Sequence, residues 1–425
     1  MTQLEHARQG RVTAEMKAVA ASENIGETVL MAAVAAGLAV IPANVKHNDL
    51  RPIGIGRGLR TKVNANIGTS ADFPRLEDEM VKLQAVLDCG CDTVMDLSTG
   101  GDITAIRRAL LERSFIPFGN VPVYEMMIDA PRRGTPFVSL SAAQMLDYIR
   151  RQAADGVDFM TIHAGLTRRA IEKLRKKPRL AGIVSRGGSM LTAWMLHNER
   201  ENPLYDGFDE VLAVAREFDV TLSLGDGLRP GSLADGSDWA QLEELLTLGE
   251  LVQRARRAGV QVMVEGPGHL PIQQVEMNIR LQKEVCAGAP FYVLGPVVTD
   301  VAPGYDHVTA AIGSALAGAA GADFLCYVTP AEHLGLPGEQ EVRQGIMASR
   351  IAAHVADVAK ELPGALDWDR RMAEARRNLD WAGQEALCLD PGMFRRIRER
   401  RGSRTDACSM CGDFCVYKIL DKYRL

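Results

Sequence analysis

Residues 260–269, VQVMVEGPGH, form a short β-rich apolar run that stops at Glu265 and passes through a glycine-rich turn to His269. The helix-like stretch Trp239–Ala258 leads into it. Outward in both directions the same unit recurs. Comparable runs lie at Lys62–Ile67, Asp92–Leu97, Phe115–Val123, Asp158–His163, Ala181–Ser185, Val220–Leu224, Phe291–Leu294 and Phe324–Val328. Amphipathic stretches such as Arg75–Leu87, Ala142–Ala154 and Phe208–Phe218 separate them. Strand–helix alternation of this kind predicts βαβ units and a parallel sheet.

With Val260–Glu265 included, the candidate strands are one more than a (β/α)8 barrel uses, so one is expected to be an insert or an end-piece. A doubly wound open sheet is the alternative. The polar residues favour the barrel. Nearly every run ends in a reactive or hydrogen-bonding group: Asn64 and Asn66, Asp96 and Ser98, Tyr124, His163, Ser185 and Arg186, Asp226, Glu265 and His269. Tyr292 lies within its run, and His333 follows the last one. In a barrel such strand ends converge on one mouth, whereas an open sheet spreads them along a crevice.

The chain of 425 residues carries 49 basic and 54 acidic side chains, a net charge of −5. That balance gives no reason to expect nucleic-acid or membrane binding. The N-terminal MTQLEHARQGRVTAEM has no apolar core of the secretory kind, so a cytoplasmic location is expected. The apolar stretches Val29–Ile41 and Thr309–Ala322 fall short of the roughly 20 residues a bilayer requires and read as core helices. The expected organisation is an N-terminal helical extension (1–60), a catalytic barrel (61–338), a C-terminal helical region (339–400), and a linker with a cysteine tail (401–425). The arginine- and glutamate-rich RRIRERRGSRTD (395–406) reads as a flexible, solvated linker.

Of the eight cysteines, Cys89, Cys91, Cys286, Cys326 and Cys388 sit in apolar surroundings and read as reduced, buried thiols. The other three form Cys408-Ser-Met-Cys411-Gly-Asp-Phe-Cys415, where Gly412 lets the backbone curl. Three thiolates suit a cubane cluster with one open iron. Zinc with a distant fourth ligand is the alternative, since structural zinc sites close with four. His269 and His333, each just past a strand, are either a divalent-metal pair or histidines hydrogen-bonded in loops. Ser185-Arg186-Gly187-Gly188-Ser189, between a strand and a helix-like segment, suits a phosphate. Asp226-Gly227-Leu228-Arg229 is a second charged turn, and together they make a phosphorylated small substrate plausible.

At these residues the chain resembles the phosphomethylpyrimidine synthase (ThiC) family, in a short form without an extra N-terminal domain. The likeness runs through MTQLEHARQG, KVNANIGTS, DTVMDLSTGG, VDFMTIHAG, GIVSRGGS, SLGDGLRPGS, VMVEGPGH, APFYVLGP, TDVAPGYDH, LCYVTPAEHLGLP and CSMCGDFC, in order. The resemblance implies a (β/α)8 barrel, a homodimer, and a radical S-adenosylmethionine lyase that rearranges 5-aminoimidazole ribotide to the thiamine pyrimidine, 4-amino-5-hydroxymethyl-2-methylpyrimidine phosphate. It implies a 4Fe–4S cluster on Cys408, Cys411 and Cys415, S-adenosylmethionine, and a divalent metal (zinc or iron) on His269 and His333. Asn66, Met95, Tyr124, His163, Ser185, Arg186, Gly187, Asp226, Gly227, Leu228, Arg229, Glu265 and Tyr292 are the implied ribotide set, with Glu265 also catalytic. An electron donor such as flavodoxin or ferredoxin is implied as a partner.

Two departures stand out. Many members have four residues between the second and third cysteine; here there are three, Gly412, Asp413 and Phe414. The region Gly119-Asn-Val-Pro-Val-Tyr124-Glu-Met-Met also differs from the more usual Gly-Thr-Val-Pro-Ile-Tyr-Gln. The second keeps an alternative open: 5-hydroxybenzimidazole synthase, which converts the same ribotide into a cobalamin lower-ligand precursor. A non-catalytic cluster or zinc sensor is a more distant alternative. It would have no use for so many polar strand ends. A mobile C-terminal arm on a homodimer gives one further expectation, that each cluster serves the barrel of the other subunit.

Overall fold

The computed structural model describes residues 1–403 and 405–421, the Asp421 side chain excepted. Arg404 of the expected linker and residues 422–425 of the tail lie outside the described residues. Eight parallel strands close into a barrel. They are β1 (Lys62–Ile67), β2 (Thr93–Asp96), β3 (Phe118–Asn120), β4 (Phe159–Ile162), β5 (Thr221–Leu224), β6 (Val262–Gly266), β7 (Phe291–Leu294) and β8 (Phe324–Cys326). The last strand returns to the first, with Phe324 opposite Lys62 and Cys326 opposite Asn64. Every strand is therefore buried on both sides, which is why each reads as a continuous apolar run.

The surplus run Ala181–Ser185 is not a strand. Pro178 precedes it, Gly182 is left-handed (φ 69°), and Asp235 takes the Leu180 and Ala181 amides that a sheet would use. The segment is an irregular insert that delivers Ser185 to the start of helix Arg186–Asn198. Tyr124 is also displaced from the expected strand. Pro122 starts helix Pro122–Arg132, whose first turn carries Tyr124.

Inside the barrel, Phe324 stacks on Tyr292 with ring centroids 4.2 Å apart and meets the edge of Phe159 at 6.2 Å. Gly119 makes room for this layer, because a Cβ there would lie 2.4 Å from the Phe159 ring. These aromatics fill the barrel beneath the polar strand ends.

The chain divides into two compact units, Met1–Ala356 and a second that begins at Asp357. The first holds the N-terminal helices, a short antiparallel pair (Ala39–Val40 with Ile55–Gly56) and the barrel. It also holds most of helix Glu339–Ala359, whose Val342 and Ile346 are fully buried in the barrel's core. The second unit contains helices Ala365–Arg377, Trp381–Leu387 and Pro391–Arg400 and the cysteine loop. The expected linker is less free than its composition suggests. Residues 395–400 complete a helix, Arg395 pairs with Glu385, and the Trp381 indole donates to the Asp406 carbonyl at 2.7 Å. Among the described residues, no helix is long and apolar enough to cross a membrane.

Candidate active site

At the C-terminal ends of the strands lies a cavity lined by Asn66, Met95, Tyr124, Thr161, His163, Asp226, Arg229, Glu265, Tyr292 and Cys326, among others. Each side chain is set by its strand's pleat. Asn64 donates to the Tyr292 hydroxyl and to Asn66 Oδ1, both at 2.7 Å, and Asn66 donates to Cys326 Sγ at 3.0 Å. Thr161 and Ser223 both donate to Glu265 Oε1, at 2.6 and 2.7 Å, leaving Oε2 to the cavity. Arg229 donates to Asp226 at 3.1 Å.

Asp226 and His163 are buried, Arg229 and Glu265 are partly buried, and desolvation shapes the protonation of the cluster. The Glu265 carboxyl is pushed up by desolvation and then by the neighbouring Asp226. Asp226 is also raised by burial, against the opposing pull of Arg229. His163 is driven down to about 3 by burial and by Arg229, so it is a neutral imidazole at physiological pH. Glu265 is raised towards neutrality, the range in which a carboxyl both gives and takes a proton.

Ser185, Arg186 and Gly187 approach from the insert. Ser185 caps the helix by accepting from the Gly188 amide, and its hydroxyl lies 3.3 Å from His163 Nε2. The Arg186 guanidinium sits over the Tyr124 ring, 4.7 Å from its centroid. A Cβ on Gly187 would meet the His163 ring at 2.3 Å, and one on Gly188 would meet the Gly227 carbonyl oxygen at 2.1 Å. The two glycine turns are therefore in direct backbone contact. Gly227 and Leu228 lie in that contact layer, and they do not line the cavity.

Nearby, His269 and His333 face each other with ring centroids 5.3 Å apart and planes at 62°. Each is oriented by a carboxylate: His269 Nδ1 lies 2.7 Å from Asp300, and His333 Nδ1 lies 3.0 Å from Asp306. With Nδ1 donating, both Nε2 atoms carry a lone pair, the arrangement used by metal-ligating histidines. Among the described residues, no three His, Cys, Asp or Glu side chains converge on one point as a metal site.

In the second unit, Gly412 is left-handed (φ 52°), and the Cys411 and Gly412 amides turn back on the Cys408 carbonyl at 3.3 and 2.9 Å. The Cys411 and Met410 amides also lower the Cys408 thiol, which favours the thiolate that a cluster needs. The donor set fits an iron–sulfur cluster.

The sequence of residues 2–422 matches the model of the radical SAM ThiC family. The chain belongs to this family. It is 59% identical to a phosphomethylpyrimidine synthase of Moorella thermoacetica over 424 residues, all of this chain and 98% of the relative. Synthases of the same name from Desulforudis audaxviator and Desulforamulus reducens are 56% and 55% identical with the same coverage. The family's chemistry makes the chain an enzyme and implies a 4Fe–4S cluster and S-adenosylmethionine, which removes the sensor reading.

Among the cavity residues that the sequence did not single out, two carry hydrogen-bonding groups, Thr161 and Cys326. Thr161 lies two positions before His163 on β4, so period-2 alternation would have found it. Cys326, read as an inert buried thiol, lines the cavity as the last residue of β8. Burial raises its thiol to about 12, so it is present as the neutral thiol.

Proposed function

We infer that this chain is a phosphomethylpyrimidine synthase, converting 5-aminoimidazole ribotide to 4-amino-5-hydroxymethyl-2-methylpyrimidine phosphate for thiamine. The observation that carries this reading is identity of 52–59% along the whole chain to relatives that bear that name. The same relatives leave the benzimidazole alternative unsupported, despite the altered Gly119–Met127 region.

Cys408, Cys411 and Cys415 would hold the cluster, and His269 and His333 the divalent metal. When bound, the cluster and S-adenosylmethionine supply the radical-initiating chemistry. The barrel's own residues bind, orient and exclude water. The start of helix Arg186–Asn198 offers free amides and the Arg186 guanidinium to the ribotide phosphate. The Asp226–Arg229 pair presents one acceptor and one donor to the polar groups of the ribotide. His163, neutral and held against Gly187, packs without adding charge. Glu265, whose Oε1 is fixed by two hydroxyls, holds or moves a proton at Oε2. A homodimer and an electron donor such as flavodoxin or ferredoxin complete the proposed assembly.

The test is genetic. Expression of the chain should restore growth without thiamine to a bacterium lacking its own pyrimidine synthase, and the Cys411→Ala chain should not. Failure of the intact, soluble chain to restore growth in a host that assembles iron–sulfur clusters would refute the reading.

A further inference from the structure

Behind the wall of the substrate cavity lies a second, smaller chamber of about 30 Å³, room for one or two water molecules. It is bounded by strand residues of the barrel and by helices Trp239–Arg257 and Ile272–Val285. Asp226, Arg229 and Glu265 line both spaces, so one set of side chains forms the partition between them. On the far side of the chamber is Glu244, almost wholly buried on helix Trp239–Arg257. Its Oε2 accepts the Leu228 amide at 2.8 Å, while its buried Oε1 has no partner. Oε1 lies against Gly227, where an added Cβ would come within 3.1 Å of it.

We propose that Glu244 is a positioning residue for the substrate cavity: it ties down the Gly227–Leu228 backbone, holds its second oxygen buried beside the largely apolar chamber, and keeps its proton while doing so. The proposal rests on the ribotide reading of the site, and it adds a residue that touches no substrate.

Three carboxyls, Asp226, Glu244 and Glu265, face the chamber with a single cation, Arg229, which is already paired with Asp226. Arg179 lies near the same turn, but it is committed to Asp238 and to the Leu228 and Arg229 carbonyls. The neighbouring Glu243 pairs with Arg169 and Lys173 on helix Arg168–Lys176. Helix Ile272–Val285 presents only Asn278 to the chamber. An ionised Glu244 would thus be a buried charge beside Asp226 with one oxygen that makes no well-formed hydrogen bond, at a cost of several kcal/mol. A protonated Glu244 donates from Oε1 to chamber water and still accepts from Leu228 at Oε2. In agreement, burial and then the Asp226 charge raise its carboxyl to about 8, against the pull of the Leu228 and Gly227 amides and of Arg179.

The consequence is an alkaline limit on substrate binding. One pH unit above 8 leaves about a tenth of Glu244 protonated. The new negative charge then competes for Arg229 and repels an anionic ribotide.

Two measurements decide the proposal. Infrared difference spectra of the holoenzyme, wild type minus Glu244→Gln, should show one carbonyl stretch of a carboxylic acid at pH 7, fading as pH rises through about 8. Calorimetric Kd values for 5-aminoimidazole ribotide should weaken roughly tenfold from pH 7 to pH 9 in wild type and less than about twofold in Glu244→Gln, whose carboxamide cannot ionise. If Glu244→Gln does not fold, Glu244→Leu, which suits the Leu245 and Leu248 side of the chamber, serves for both comparisons. A missing acid band at pH 7, or a variant that weakens with pH as wild type does, overturns the proposal. Wild type that binds no ribotide at any pH refutes the functional reading instead, and the infrared band still decides the state of Glu244.

Discussion

Gly188→Ala isolates the contact that joins the two substrate-facing turns. Gly188 lies in the first turn of helix Arg186–Asn198, at ordinary helical φ. On propensity alone alanine would stabilise that helix by about 1 kcal/mol. The structure predicts the opposite outcome for function. The new Cβ would lie 2.1 Å from the Gly227 carbonyl oxygen and 2.8 Å from Gly227 Cα, all backbone atoms that no rotamer change can move. Restoring a contact of 3.4 Å requires the turns to part by about 1.3 Å. Overpacking of this kind costs about 1–3 kcal/mol, partly offset by the helix gain, so the chain should stay folded. The displacement instead separates Ser185 and Arg186 from Asp226 and Arg229, and misplacement by about 1 Å lowers rates on the order of 100-fold. Steady-state turnover of 5-aminoimidazole ribotide by the anaerobically reconstituted enzyme, beside thermal unfolding, measures both. Gly26→Ala, whose Cβ meets nothing closer than 3.7 Å, is the control and should match wild type. A folded Gly188→Ala enzyme within about threefold of wild-type kcat/KM would show that the close approach of the turns does not matter.

Other expectations follow from single features. Cys408→Ala, Cys411→Ala and Cys415→Ala should each abolish turnover and leave the unfolding temperature of the cluster-free chain unchanged; normal activity in any one of them contradicts a cluster held by all three. Asp300→Asn, which removes the carboxylate that orients His269, should weaken divalent-metal affinity by about 10–100-fold in a chelator competition. Unaltered affinity would mean that the histidine pair is not a metal site. His163 gives a pH signature: its folded pKa, about 3, lies below the unfolded value near 6.5, so the unfolded chain binds the extra proton between those limits. Its contribution is present in full above pH 6.5 and is lost as pH falls towards 3, up to a few kcal/mol in all. Denaturant titrations at pH 7 and pH 5 should therefore show a smaller loss of stability on acidification for His163→Asn than for wild type.

All eight barrel strands were legible because burial on both faces makes each a dense apolar run, and the polar group at its end marks the mouth. Ala181–Ser185 carries the same texture, but its amides are satisfied by Asp235, more than fifty positions away in sequence. Nothing local reports that, and only the surplus in the strand count betrayed it. His269 and His333 were found from their place after strands. Their orienting carboxylates were not, because Asp300 in the loop after β7 and Asp306 at the start of helix Asp306–Ala320 are distant in sequence from the histidines they hold. Glu244 was hidden for a related reason: on an amphipathic helix a glutamate reads as solvated, and only the packing of that helix on the Asp226–Arg229 turn buries it. Conversely, the charged composition of residues 395–406 suggested freedom, yet the helix to Arg400 and the indole of Trp381 restrain much of it.

The central claim is that this barrel turns 5-aminoimidazole ribotide into the thiamine pyrimidine by radical chemistry. The direct measurement is mass spectrometry of the products formed by the enzyme, reconstituted anaerobically with iron and sulfide and supplied with ribotide, S-adenosylmethionine and a reductant. The account predicts 4-amino-5-hydroxymethyl-2-methylpyrimidine phosphate together with 5′-deoxyadenosine, both absent from the Cys411→Ala reaction. A 5-hydroxybenzimidazole product, or 5′-deoxyadenosine released without any pyrimidine from a fully loaded enzyme, would contradict it.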